Sequence, residues 1–143
     1  MGENVWRDES RWPLESTRYT PYYLHADGSL SPDAPTDAGQ LRYRYDPADP
    51  VPTLGGNIME PTLRGPYDQA PLDEREDILR FVTAPVTEAL EITGPISAEI
   101  YAASSARDTD FMAKLIVVKP NGMAINLVDG VIRARFRNGF ETE

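Results

Sequence analysis

No cysteine occurs among the 143 residues, which excludes disulfides, thiolate catalysis and Cys-based metal sites and makes a reducing compartment, the cytoplasm, the expected location. Histidine is almost as scarce, with His25 standing alone. Any Ser-His-Asp arrangement would have to use that one imidazole as its base. Basic residues are outnumbered, 14 against 23 acidic, giving a formal charge of -9, and a chain of this sign repels phosphate backbones and anionic lipid. Long apolar runs are missing as well. Leu115 to Val118 is the longest strongly apolar run of the strand-rich region, far short of the ~20 residues that span a bilayer. The opening MGENVWRDES has no apolar segment of the kind a secretion signal needs. Neither nucleic acid nor membrane is therefore an expected partner.

What the chain does have is punctuation. Thirteen Pro and 10 Gly break up a sequence that is 41% hydrophobic, a composition that favours short strands and many turns and points to an all-β fold. The length suits one domain with one core. Residues 1–18, MGENVWRDESRWPLESTR, are polar, carry Trp6 and Trp12 without strand or helix periodicity, and are read as a surface arm. TPYYLHADGSLS predicts a tight hairpin turning at Asp27-Gly28. From Ser31 to Gly65 the chain is rich in Pro, Gly and Asp, with one candidate strand at Leu41 to Tyr45, and reads as a long loop that needs a surface to lie on. PLDEREDIL predicts a helical turn with Asp73 as its N-terminal cap.

Strand signals are strongest afterwards. Ile78 to Val82 and Leu90 to Thr93 are short candidates. In Ile96 to Ala103, Ile96, Ala98, Ile100 and Ala102 alternate with Ser97, Glu99, Tyr101 and Ala103. Phe111 to Lys119 is apolar on both faces in its second half and predicts a central, doubly buried strand. Asn121-Gly122 predicts a type I′ turn into Met123 to Val128, and Asp129-Gly130 a further turn into Val131 to Arg137. The expected product is a meander that builds a sandwich.

Candidate chemistry is sparse. His25 lies in LHADG with no G-x-S-x-G elbow anywhere in the chain, so the plain hairpin histidine is the preferred reading. Asp108 and Asp110, with Asp129, offer oxygens for calcium, against the commoner use of aspartates as turn and capping acceptors. Tyr19, Tyr22, Tyr23, Tyr43 and Tyr45 could form a platform for a sugar ring, or pack half-buried with wet hydroxyls. Arg133, Arg135 and Arg137 share a strand face by period two and would bind an anion or pair with carboxylates across the sheet. No catalytic, cofactor or metal residue is assigned, and no cofactor is expected.

Four stretches taken together resemble a known family: MGENVWRDESRWPLESTRYTPYYL; YDPADPVPTLGG with GPYDQ; APVTEALEITGPISAEIYAASSARDTDFMAKLIVV; and NGMAINLVDGVIRARFR. In order and over nearly the whole chain they are similar to the C-terminal region of the CocE/NonD hydrolases. That family comprises cocaine-esterase-like enzymes, α-amino-acid ester hydrolases and X-Pro dipeptidyl-peptidases. The resemblance implies a jelly-roll β-sandwich of galactose-binding type over residues 19–143, entered by a linker over residues 1–18. It further implies a non-catalytic role: packing on an α/β-hydrolase domain that carries the serine nucleophile, and shaping its substrate site. None of the family's triad motifs is matched here. Met1-Gly2-Glu3-Asn4 resembles an internal stretch of the family, whose members also continue beyond VIRARFR. The expectation is therefore a fragment cut at both ends, an incomplete sandwich whose open sheet edge invites a homo-oligomer. The rival expectation is a stand-alone carbohydrate-binding module built on the tyrosines or on Asp-bound calcium.

Overall fold

The computed structural model describes residues 5–141; the expectation drawn on Met1-Gly2-Glu3-Asn4 lies outside them. Strands are the longest regular elements, joined by single 3-10 turns, and no α-helix occurs among the described residues. The fold is all-β. The chain divides into two units: the N-terminal segment through Tyr43 with Ile78–Ser97, and Arg44–Asp77 with Ala98 onward.

The first unit is organised by a small hairpin. Strands β1 (Tyr23–Leu24) and β2 (Leu30–Ser31) pair antiparallel, with Tyr23 opposite Ser31 and Leu24 opposite Leu30. The turn forms where the sequence places it, because the Asp27 carboxylate accepts both the N–H and the hydroxyl of Ser29 at 2.9 and 2.7 Å. Gly28 takes the positive φ (84°) and donates to the His25 carbonyl at 3.0 Å. Ile78 to Val82 is not a strand of its own. Val82 makes one parallel bridge to Ser29, through hydrogen bonds with Leu30 and Gly28. The polar arm is held in this unit by Arg7 to Glu91 (2.6 Å) and by the Thr17 hydroxyl donating to the Thr93 carbonyl (3.2 Å).

The second unit contains the long hairpin, β3 (Asp110–Val118) against β4 (Ala124–Arg133). Its loop differs from expectation. Gly122 donates to the Lys119 carbonyl (2.8 Å), and Lys119 to that of Met123 (2.9 Å). Pro120 thus occupies the second position of the turn, and Gly122 follows it at φ 84°. Proline fixes a negative φ, which suits a type I turn followed by a left-handed glycine and excludes the type I′ form there. Asp129-Gly130 is not a turn either. It lies within β4, Asp129 opposite Lys114 and Gly130 opposite Ala113, so the expected meander is one two-stranded hairpin. Beyond Arg133 the chain enters a 3-10 turn, Ala134–Phe136, and the three arginines do not share a strand face.

A bulge breaks this register: Leu115 opposes Val128 while Ile116 opposes Asn126, leaving Leu127 as the extra residue. The outer edge of β4 carries Tyr67–Gln69, with Asp68 bridged to Ile125, Gln69 donating to Ala124 (2.7 Å) and Asn126 to Tyr67 (3.3 Å). A 3-10 turn, Ala70–Leu72, follows, with Gln69 as N-cap and Pro71 in its first positions. Proline starts the turn early, so Asp73 stands at its C-terminal end, not its N-cap. Leu72, 7% exposed, is the buried hydrophobic residue among those described. β3 has no strand on its other edge among the described residues, and Met112 and Val118 remain exposed, so it is not the doubly buried strand expected. Leu41 to Tyr45, Leu90 to Thr93 and Ile96 to Ala103 form no ladder, since alternation makes a strand only where a neighbour supplies hydrogen bonds.

Replacing Leu72 by Ala should lower stability by about 2–5 kcal/mol, the range for a buried leucine; urea unfolding of both proteins measures the difference.

Candidate functional site

The most buried side chains among the described residues are polar, Asn126 at 3% and Gln69 at 4% exposure, ahead of Leu72. Asparagine is a poor strand residue, and in AINLV it interrupts an apolar run. The bulge explains its placement. By adding Leu127, β4 turns Asn126 and Asp129 to the same face, opposite Ile116 and Lys114. There the Asn126 Oδ1 accepts the Tyr67 N–H at 2.7 Å and the Gln69 Nε2 at 3.4 Å. Gln69 Nε2 also donates to the carbonyls of Leu54 (2.9 Å) and Tyr67 (3.1 Å), and its Oε1 accepts from Lys114 Nζ at 3.1 Å. Two carboxamides thereby join four segments of chain. A Cβ at Gly56, where φ is +85°, would lie 2.7 Å from an Asp129 carboxylate oxygen, so the loop can approach β4 only as glycine.

A second polar group lies at the far end of the hairpin. Arg133 forms a two-pronged pair with Asp110 at 2.8 and 3.0 Å, and Arg135 pairs with Asp108 at 2.5 Å while donating its backbone N–H to the same carboxylate at 3.1 Å. Arg133 holds the Asp110 carboxyl below its ordinary range. Burial pushes Asp108 upward, but its bonds to Arg135 outweigh that and hold it low as well. The carboxylates serve arginines. Asp129 is not with them, being opposite Lys114, four positions along β3 from Asp110. No group of three or more His, Asp or Glu side chains gathers as if for a metal ion among the described residues. Arg137 donates to the Ala134 carbonyl at 2.9 Å.

Elsewhere in that unit Arg75 grips Asp77 with two bonds of 2.8 Å and reaches the Asp49 carboxylate (3.3 Å) and carbonyl (2.6 Å). The guanidinium holds the Asp77 carboxyl below the ordinary range.

His25 meets the Asp33 carbonyl at 3.1 Å, a backbone partner and not a nucleophile. The tyrosines are exposed, and only Tyr23 lies in a strand. Tyr43 and Tyr45 stand in irregular chain and belong to different units, so no strand places them as one surface. The residues that matter most to the second unit, Gln69 and Asn126, were missed by sequence reasoning. Their signal was a polar residue at an apolar strand position and the Gln of GPYDQ.

The chain, over residues 1–143, matches the model of the X-Pro dipeptidyl-peptidase C-terminal non-catalytic domain. It is 46% identical to cocaine esterase of Rhodococcus sp. (strain MB1 Bresler), over 96% of this chain and 26% of that protein. It is 30% identical to proteins designated serine esterases in Mycobacterium bovis and Mycobacterium tuberculosis, over 96% of this chain and 22% of each. It thus spans about a quarter of the length of these curated relatives.

Asn126→Ala should cost about 1–3 kcal/mol, because the buried Tyr67 N–H and Gln69 amide lose their shared acceptor; denaturant unfolding measures it. Asp77 sets a pH dependence with a definite sign. Its folded pKa is depressed, so its contribution is present above the unfolded value of about 4 and is lost as pH falls through the lower folded value. Stability followed from pH 6 downward, on the order of three pH units, should fall less steeply in Asp77→Asn than in the parent.

Proposed function

We propose that this chain, which belongs to the X-Pro dipeptidyl-peptidase C-terminal non-catalytic domain family, is the accessory jelly-roll β-sandwich of a CocE/NonD-like serine hydrolase. It packs on the α/β-hydrolase domain and shapes the rim of the site where acyl or X-Pro substrates are cleaved. Residues 1–18 are the linker entering it, and the parent is cytoplasmic.

The observation that carries this reading is the apolar surface left uncovered. Trp6, Met59, Tyr101, Val131 and Phe140 are each at least 65% exposed. Large apolar side chains left exposed in this way are found on surfaces that bind other protein. Identity of 46% with an esterase four times as long supports a catalytic domain as the partner. Away from it, the outer edge of β4 beyond Asn126, with Val131 and Arg133, pairs with a second copy.

The purified chain should hydrolyse neither activated esters nor X-Pro anilides above background. Mixed with Rhodococcus cocaine esterase lacking its own C-terminal quarter, it should form an equimolar complex by sedimentation and raise the melting temperature of that enzyme portion. Sedimentation of the two as independent species would overturn the proposal.

A further inference from the structure

Asn121 and Gly122 stand side by side at the tip of the β3–β4 hairpin, both exposed. The turn uses their backbone and leaves the Asn121 carboxamide with a reaction of its own. The carboxamide carbon, Cγ, is an electrophile tethered to the amide nitrogen of the next residue, and attack by that nitrogen closes a five-membered ring without any diffusional encounter. Glycine hinders this attack least, because no Cβ crowds its nitrogen. A Cβ built on Gly122 would meet nothing within 4 Å beyond its own chain neighbours, so the ring and the water that later opens it have room to form and to enter.

Two hydrogen bonds act on the pair in opposite senses. The Met123 N–H donates to Asn121 Oδ1 at 3.1 Å, the place of a donor that stabilises the negative charge developing on a carbonyl oxygen under attack. The Gly122 N–H donates to the Lys119 carbonyl at 2.8 Å, which holds the proton that has to leave before the nitrogen can attack. One bond promotes the reaction, and the other delays it until the tip opens. Opening there is a local event, since it breaks the loop and leaves the ladder standing.

We propose that Asn121 is a self-modifying site, where the chain reacts with water to give aspartate and isoaspartate. The Gly122 N–H proton passes to hydroxide, the nitrogen bonds to Asn121 Cγ, and the bond from Cγ to the carboxamide nitrogen breaks, releasing ammonia with a proton taken from water. Water then opens the cyclic imide at either carbonyl. Attack at Cγ breaks its bond to the Gly122 nitrogen and leaves aspartate; attack at the backbone carbonyl breaks the other bond to that nitrogen and leaves isoaspartate, whose main chain runs through Cβ. Asparagine and water have become an acid and ammonia, with no oxidant or reductant involved. Aspartate keeps an acceptor for the Met123 N–H. Isoaspartate adds a carbon to the main chain inside a loop whose closure, Lys119 N–H to the Met123 carbonyl at 2.9 Å, depends on its length. The disturbance falls beside Ala124, whose N–H donates to Asp68 Oδ1 at 3.0 Å and whose carbonyl accepts the Gln69 N–H.

The test is to age the full chain at mildly alkaline pH and follow each asparagine by peptide mass spectrometry, with synthetic aspartyl and isoaspartyl peptides as standards. Asn57, exposed in the same unit and followed by Ile58, is the internal control, because a branched Cβ crowds the attacking nitrogen. Asn121 should convert at least several-fold faster than Asn57 and give both products. An Asn121 that stays intact, or that converts no faster than Asn57, would overturn the proposal. Asn121→Asp supplies the aspartyl form alone and should melt as the parent does, whereas aged chain enriched in isoaspartate should melt lower. Equal melting of the enriched chain and the variant would overturn the consequence drawn for the turn.

Discussion

The second unit depends on a hydrogen bond between two carboxamides. Gln69 and Asn126 meet at 3.4 Å, a long contact whose importance comes from what each amide does with its remaining capacity. Gln69 fixes the Leu54 loop and accepts Lys114, and Asn126 takes the Tyr67 N–H. Apolar contacts could not do this, because they are non-directional and the segments concerned expose backbone groups that need partners. Where burial is scant, a satisfied polar network specifies the arrangement of the chain instead of a packed core.

Scant burial is the other governing fact. A domain of this length ordinarily buries about two-thirds of the surface of its unfolded chain, and here Leu72 is the buried hydrophobic residue among those described. Both faces of the β3–β4 hairpin carry exposed aliphatics, such as Met112 and Val131 on one and Val117 and Ile132 on the other. Two-stranded ribbons of this kind are marginal in water unless something covers them. Exposed aliphatics of this kind are what a surface needs in order to pack on another polypeptide segment.

What could be read from the sequence followed from how local the cause was. The Asp27-Gly28 hairpin was legible because its turn is set by side-chain bonds two residues apart. The all-β character and the position of the β3–β4 loop were legible for the same reason. The type of that loop was not, because Pro120 displaced the Asn-Gly pair by one position. Asp129-Gly130 misled because a glycine opposite a small residue such as Ala113 also suits a strand interior. Leu41 to Tyr45 and Ile96 to Ala103 had the right alternation, but a ladder also needs a neighbour, which is a non-local matter. Gln69 and Asn126 were illegible for a related reason: their partners lie 57 residues apart in sequence, and no short pattern announces such a pair.

The bulge at Leu127 makes chain length itself a carrier of information. In a strand without it, Asn126 would share a face with Val128, and the amide would point away from Lys114 and Asp129. Deleting Leu127 would turn the bulge into a regular ladder and leave Asn126 opposite Ile116 and Asp129 opposite Lys114. Drawing Leu127 into the ladder opposite Leu115 would instead exchange the two faces of half a strand, scattering the polar cluster without altering any side chain that composes it. Substitution and loss of the bulge are therefore different kinds of damage: one changes a component, the other the phase in which all of them are read.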